Sequence, residues 1–257
     1  MPPAAKSNLF LALNLGNTNL GCAFFERERV LLHRRVPVAP LKQGWDRDLP
    51  AEMLEAVGVS LLAGVNPPRT AEVVESLSRR LGSPPRVLGS DVPIPVVARV
   101  DNPREVGADR LMNVLAAYDR LHSAALVVDF GTALTIDVCS EAGEYLGGII
   151  APGLRTAAVA LHSRTALLPQ VDITPPEKVT GRNTVDCIRS GVFWGAVAML
   201  EGLIPRLRRE HPEATKVLAT GGDAAAVARV TRVIDEVVDD LTVQGIRLAA
   251  EAAGLLR

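Results

Sequence analysis

The sequence is poor in residues that stack, cross-link and chelate. Only 4% of its 257 residues are aromatic, and it has three cysteines and four histidines. So few aromatic rings leave few platforms for stacked bases. Lys and Arg (28) nearly balance Asp and Glu (29) for a formal charge of -1, which removes the electrostatic case for nucleic acid. Basic residues do cluster between Arg27 and Arg35 and between Arg206 and Arg209, but beside acids, as on solvated faces. Cys22, Cys139 and Cys187 lie far apart, without the paired spacing of a zinc or redox motif, and read as buried thiols of a reducing cytosol. His33, His122, His162 and His211 have no metal-ligand spacing and read as surface or packing groups, as do Trp45 and Trp194. The apolar runs are of strand length and Met1 to Ser7 lacks the apolar core of a signal peptide, so a cytoplasmic protein with no membrane partner is expected.

What is present is an ordinary globular composition, 48% hydrophobic and 22% charged, at a length that gives one large domain or two modest ones a real core. The stretch Val127 to Thr135 organises it: an apolar run delivers Asp129 into the small, hydroxyl-bearing turn Gly131-Thr132. Upstream, Leu11 to Thr18 follows the same plan, with Asn14 where the later run has Asp129 and Gly16-Asn17-Thr18 as the turn. Such turns offer backbone amides and hydroxyls to phosphates, and an acidic residue there can organise a cation.

Around each turn the pattern predicts the same succession. In the first half, strands over Leu9 to Leu13, Leu20 to Phe25 and Val30 to Val36 precede a strand at Val57 to Ala63, a helix over Thr70 to Leu81 and a short strand at Arg86 to Leu88. Between Pro37 and Pro50 there is no periodicity, and a short helix around Asp46 is the only element suggested. A helix follows with apolar positions Leu111, Val114, Leu115, Tyr118 and Leu121, capped either at Asn102 or beyond Gly107. Either start leaves Asp109 and Arg110 near a helix N-terminus, where the dipole favours anions. The second half predicts strands at Ala124 to Phe130, Leu134 to Cys139 and Tyr145 to Ile150, then a helix over Leu154 to Ser163. A long helix capped by Asn183 or Thr184, a strand at Lys216 to Ala219 ending in Thr220-Gly221-Gly222, and helices over Asp223 to Val230 and Leu241 to Leu255 complete it. Two halves of the order strand, strand, strand, helix, strand, helix predict an α/β chain with the duplicated actin-like (ribonuclease H-like) ATPase fold. The expected division is residues 1–100 and 101–257, with the nucleotide between the halves.

The residues also resemble the type III pantothenate kinase family. The resemblance runs through Gly16-Asn17-Thr18, Asp101-Asn102-Pro103, Gly107-Ala108-Asp109-Arg110, Asp129-Phe130-Gly131-Thr132-Ala133, Gly147-Gly148 and Ile150-Ala151-Pro152-Gly153. It continues through Arg164-Thr165-Ala166, Gly181-Arg182-Asn183-Thr184, Ser190-Gly191, Gly195 and Thr220-Gly221-Gly222, and is weakest from Pro37 to Ile94. It implies ATP-dependent phosphorylation of pantothenate, the first step of coenzyme A synthesis, by a homodimer using ATP with Mg2+ and K+ or NH4+. Asp109 then matches the catalytic base, Asp129 the monovalent-cation ligand and Thr132 an ATP contact. Asn14, Leu15, Gly16, Asn17, Thr18, Asn19, Leu20 and Gly21 match the ATP turn. Val100, Gly107, Ala108, Asp109 and Arg110 match the pantothenate contacts, with Thr184 reaching the substrate across the dimer interface. Read from the residues alone, Asp109 is also a helix-start carboxylate, Asp129 a turn cap and Thr184 an N-cap. Three positions depart from the family: Asn14 replaces aspartate, Val100 tyrosine and Leu167 lysine. Asn14 and Val100 keep open a second reading, a catalytically impaired relative that binds ligands or regulates.

Overall fold

A computed structural model describes residues 9–38, 49–65 and 67–256. Trp45 and the helix suggested around Asp46 lie outside these residues, as does the N-terminal stretch Met1 to Ser7. The chain divides into two compact units, Met1–Ala116 with Asp240–Arg257, and Ala117–Asp239.

In the first unit, β1 (Leu9–Leu15), β2 (Asn19–Glu26) and β3 (Arg29–Pro37) form an antiparallel meander. After the short helix α1 (Ala51–Glu55), β4 (Val57–Gly64) returns parallel to β1. Helix α2 (Pro67–Leu81) leads to the two-residue strand β5 (Arg86–Val87), giving a sheet of order β3-β2-β1-β4-β5. The run LFLALNL of β1 is apolar on both faces because both faces are covered. Leu11, Leu13 and Leu15 join Leu20, Cys22, Phe24 and Leu62 in a core closed by Val73 and Leu77 of α2. By strand alternation Ala12 and Asn14 point to the other face. That face receives α7 (Leu241–Ala252), which packs on β1, β4 and β2. Each fully buried leucine or phenylalanine here contributes about 1.5–3 kcal/mol.

A 3-10 turn at Pro103–Glu105 precedes α3 (Ala108–Leu121), so the helix starts beyond Gly107 and the Asn102 alternative opens only the short turn. Helices α3 and α7 meet at Gly245, where a Cβ would run into the Met112 carbonyl, and the buried Thr242 hydroxyl donates to Asn113 Oδ1 at 2.7 Å. These contacts place the C-terminal helix and the start of α3 with the first sheet, whereas a division at residue 100 follows chain order.

The second unit has β6 (Ala125–Phe130), β7 (Ala133–Cys139) and β8 (Tyr145–Pro152) in a second antiparallel meander. Then come α4 (Leu154–Arg164), α5 (Thr184–Glu210), β9 (Lys216–Gly221), α6 (Ala224–Ala228) and β10 (Glu236–Val237). The sheet order, β8-β7-β6-β9-β10, is that of the first unit, with the same parallel and antiparallel pairings. Helix α5 is long and apolar enough to cross a membrane. Here Phe193, Val197, Leu200, Ile204 and Leu207 lie in the core with Leu126, Val128 and Phe130. Cys22 and Cys139 are buried, and desolvation pushes both thiols up to about 12. Cys187 is exposed on α5, against the expectation of three buried thiols.

Candidate active site

The duplication extends to individual hydrogen bonds around the two turns. Asn14 and Asp129 are each the penultimate residue of the central strand, paired with Ala63 on β4 and Thr220 on β9. The last residue of each strand, Leu15 or Phe130, accepts from the amide just past the neighbouring parallel strand: Val65 N at 3.2 Å and Gly222 N at 3.0 Å. The turn carbonyls of Thr18 and Thr132 accept from the residue after the third strand, Val38 N at 2.9 Å and Gly153 N at 3.0 Å. The two meanders, one in each unit, therefore present the same kind of turn at the same strand end.

In the first turn Asn17, Thr18 and Asn19 are exposed, Gly16 is half-buried, and the Leu15 and Leu20 side chains are fully buried in the core. Leu15 and Leu20 can thus serve a ligand only through their backbone. Gly16 N donates to Asn19 O at 3.0 Å, closing the turn. Asn14 is half-buried, and its Oδ1 is buried with no hydrogen-bond partner. In the second turn Thr132 is exposed and its carbonyl also accepts from Thr156 Oγ1 at 2.6 Å. Gly153 and Gly221 let backbone approach backbone here. A Cβ on Gly153 would collide with the Gly131 carbonyl, and one on Gly221 would lie 2.5 Å from the Phe130 carbonyl. Gly221 also has φ +95, a conformation L side chains rarely adopt.

Asp109 belongs to the first turn's surroundings. Val65, bonded to Leu15, lies with its Cγ1 3.5 Å from where a Gly107 Cβ would be, and Asp109 Oδ1 is 2.5 Å from that same point. The absent side chain at Gly107 lets the carboxylate fold back beside the strand ends. Arg110 N donates to Asp109 Oδ1 at 2.9 Å. Burial pushes the carboxyl above its usual range, more than the Arg110 amide and guanidinium and its own amide pull it down. Ala108 is buried and Val100, Gly107 and Arg110 are half-buried along the same segment.

Thr184 opens α5 in the second unit, and Asn183 provides the cap, its Oδ1 accepting from Asp186 N at 2.9 Å. The Thr184 hydroxyl is therefore not consumed in capping. Thr184 and Cys187 line an open, mainly apolar cavity of about 730 Å³ between α4 and α5, with Ala157, Leu161, Val192 and Gly195.

The family model described as type III pantothenate kinase matches residues 10–206. A type III pantothenate kinase of Dehalococcoides mccartyi is 38% identical over 250 residues, covering 94% of this chain and 97% of that protein. One of Moorella thermoacetica is 39% identical over 252 residues, covering 95% and 99%. The chain belongs to the type III pantothenate kinase family. Solved structures support the fold. A Campylobacter jejuni protein described as a Baf family transcriptional activator aligns with TM-score 0.59 at 20% identity, covering 96% of this chain and all of that one. Component A of the Acidaminococcus fermentans (R)-2-hydroxyglutaryl-CoA dehydratase aligns with TM-score 0.55 at 14% identity, covering 96% and 98%. With its two five-stranded sheets of matching order, this chain has the duplicated actin-like fold predicted from its repeated turns.

Among the described residues no group of three or more His, Cys, Asp or Glu could hold a metal ion. The buried, unpartnered Asn14 Oδ1 is an acceptor that carries no charge. Sequence reasoning missed one pair at this turn. His33 Nδ1 and Asp240 Oδ1 lie 2.5 Å apart across 207 residues of chain, and no local pattern joins the two. It also missed Asp137, a fully buried carboxylate on β7 that lies 3.4 Å from the Thr135 hydroxyl, which donates to it.

Proposed function

We propose that this kinase moves the γ-phosphate of ATP to the primary alcohol of pantothenate with Asp109 as the base. One observation carries the assignment: a desolvated carboxylate stands at the head of α3, against the strand ends that bear the first phosphate-type turn. Phosphoryl transfer leaves little covalent chemistry to the protein. It needs an alcohol held in line, charge stabilisation around the phosphoryl group and an acceptor for the alcohol proton. A carboxylate whose proton affinity is raised by burial is a better acceptor for the alcohol proton than an exposed one.

The remaining roles follow from position. The amides and side chains from Asn14 to Gly21 bind the phosphates of ATP, with Asn17 and Thr18 contributing side-chain donors, and Thr132 is an ATP contact of the second turn. Asn14 would hold the Mg2+ carried in with ATP, which would supply charge neutralisation for the phosphates. Asp129 takes a potassium or ammonium ion, which compensates a carboxylate delivered by an apolar strand. Val100, Gly107, Ala108 and Arg110 line the pantothenate side. Thr184 reaches the substrate of the partner subunit in a cytoplasmic homodimer, whose interface includes the apolar cavity between α4 and α5. The reading as an impaired relative gains nothing from the comparisons.

A coupled assay of the purified chain with pantothenate, ATP and Mg2+, with and without K+, tests the proposal. Turnover that requires K+ and vanishes in Asp109→Asn is expected. Equal turnover in wild type and Asp109→Asn removes Asp109 as the base. Turnover indifferent to monovalent ions removes the role given to Asp129.

A further inference from the structure

The first sheet carries an open place that the second sheet fills. On β1, β2 and β3 the residues Asn14, Gly21 and Arg35 face one another in register, with Ala12, Ala23 and His33 as the next row on the same face. The corresponding row of the second sheet has Asp129 opposite Thr135, so a buried side chain stands where Gly21 has none. The point a Gly21 Cβ would occupy is 3.4 Å from His33 Nε2 and 3.6 Å from Asn14 Cβ. His33 leans over the glycine, and the two polar side chains flank the gap.

His33 is held in this pose from behind. Asp240, the N-cap residue of α7, makes no side-chain capping bond to its own helix, and its carboxylate instead meets His33 Nδ1 at 2.5 Å. A hydrogen bond from Nδ1–H to the carboxylate leaves Nε2 of the neutral ring as a lone-pair acceptor aimed at the gap. This is how a carboxylate orients and strengthens an imidazole toward a metal or its water. On the other side of the gap stands Asn14, whose buried Oδ1 is an acceptor without a donor. An acceptor at His33 Nε2, and the buried acceptor of Asn14, whose Cβ borders the same point, call for a ligand that brings donors.

We propose that His33, oriented by Asp240, acts with Asn14 to accept hydrogen bonds from the water shell of the divalent ion that accompanies ATP at the first turn. The charges around the gap decide against a bare ion. The His33 hydrogen bond holds Asp240 below the usual carboxylate range, and Arg35 offsets its charge. A nearly neutral pocket does not strip a dication from water, but it accommodates one whose charge the phosphates already balance and whose waters need acceptors. Gly21 makes the space, His33 and Asn14 supply the acceptors, and Asp240 is a positioning residue.

The proposal rests on nucleotide binding at the first turn, and the test separates the two. ADP binding to the full-length protein is measured by calorimetry without metal, and Mn2+ binding to the protein–ADP complex by electron paramagnetic resonance. Variants are His33→Ala, His33→Gln, Gly21→Ala, Asp240→Asn and Asn14→Asp. His33→Ala weakens Mn2+ on the order of tenfold and leaves metal-free ADP binding unchanged, and His33→Gln, which keeps an acceptor, restores part of the loss; Gly21→Ala, which fills the space, weakens Mn2+ more than it weakens ADP. In the Asn14→Asp background, where a carboxylate supplies charge, His33→Ala costs much less. The downfield Nδ1–H resonance of His33 disappears in Asp240→Asn. Unchanged Mn2+ binding in both His33→Ala and Gly21→Ala, with ADP still bound, overturns the proposal. So does equal weakening of metal-free ADP, which would make His33 a phosphate contact. A wild-type chain that binds no ADP removes the nucleotide reading, and this proposal with it.

Discussion

At the scale of single residues, the chemical task proposed for Asp109 and its cost in stability can be measured apart. Its carboxyl is raised by burial, so ionisation is harder in the folded chain than in the unfolded one. The sign follows from linkage. Below the unfolded value, near 3.9 for an aspartate, the group is protonated in both states and there is no penalty. The penalty grows as pH rises toward the elevated folded value and is complete above it. Asp109→Asn should therefore lose turnover by at least about a hundredfold yet melt at or above the wild-type temperature at pH 7, with the gain fading in melts near pH 3. A lower melting temperature at pH 7 would mean that the Arg110 contacts outweigh desolvation. The place of Asp109 in the first turn of a helix was legible in the sequence, because Gly107 ends the preceding loop and the apolar period begins at Leu111. His33 and Asp240 were not, since only the fold brings a β3 residue to the N-terminus of α7.

At the scale of elements, the repeated order of strands was legible because each central strand is a buried apolar run ending in a small-residue turn. The missed pieces are those with too few residues to show a period: α1 has five and β10 two. Close approaches between elements left almost no trace either, because a glycine signals that something comes near without naming it. Gly245 is such a case, a helix-interior glycine whose absent side chain admits the Met112 carbonyl. As α3 also carries Asp109 at its head, the α3–α7 contact supports the site's geometry. Gly245→Ala gains about 1 kcal/mol of intrinsic helix propensity but must push the helices apart, and strain of this kind typically costs about 1–3 kcal/mol. The expected result is a lower melting temperature with kcat reduced more than KM for ATP is raised. Gly254→Ala, at a helix end with nothing near, is not an equivalent control because of its positive φ.

At the scale of the whole molecule, the proposed dimer makes the sharpest demand. Each unit has a complete sheet, but the face between α4 and α5 leaves an apolar cavity beside Thr184, a residue that resemblance assigns to the partner's substrate. If Thr184 serves the neighbouring subunit, Asp109 and Thr184 of one working site come from different chains. Two inactive variants should then complement. Asp109→Asn and Thr184→Ala homodimers each lack a functional pair at both sites. After subunit exchange, a mixed dimer has one site carrying both defects and one with neither. In a two-fold dimer at equal mixing about half the dimers are mixed, so about a quarter of wild-type activity should return. The recovery should be absent immediately on mixing, rise at the rate of subunit exchange followed by fluorescence transfer, and fall on dilution below the dimer dissociation constant. No recovery despite demonstrated exchange would place Asp109 and Thr184 at the same subunit's site, or leave Thr184 outside the site altogether. Residual activity in Thr184→Ala alone distinguishes these two outcomes, because only a residue outside the site can be removed with pantothenate saturation unchanged.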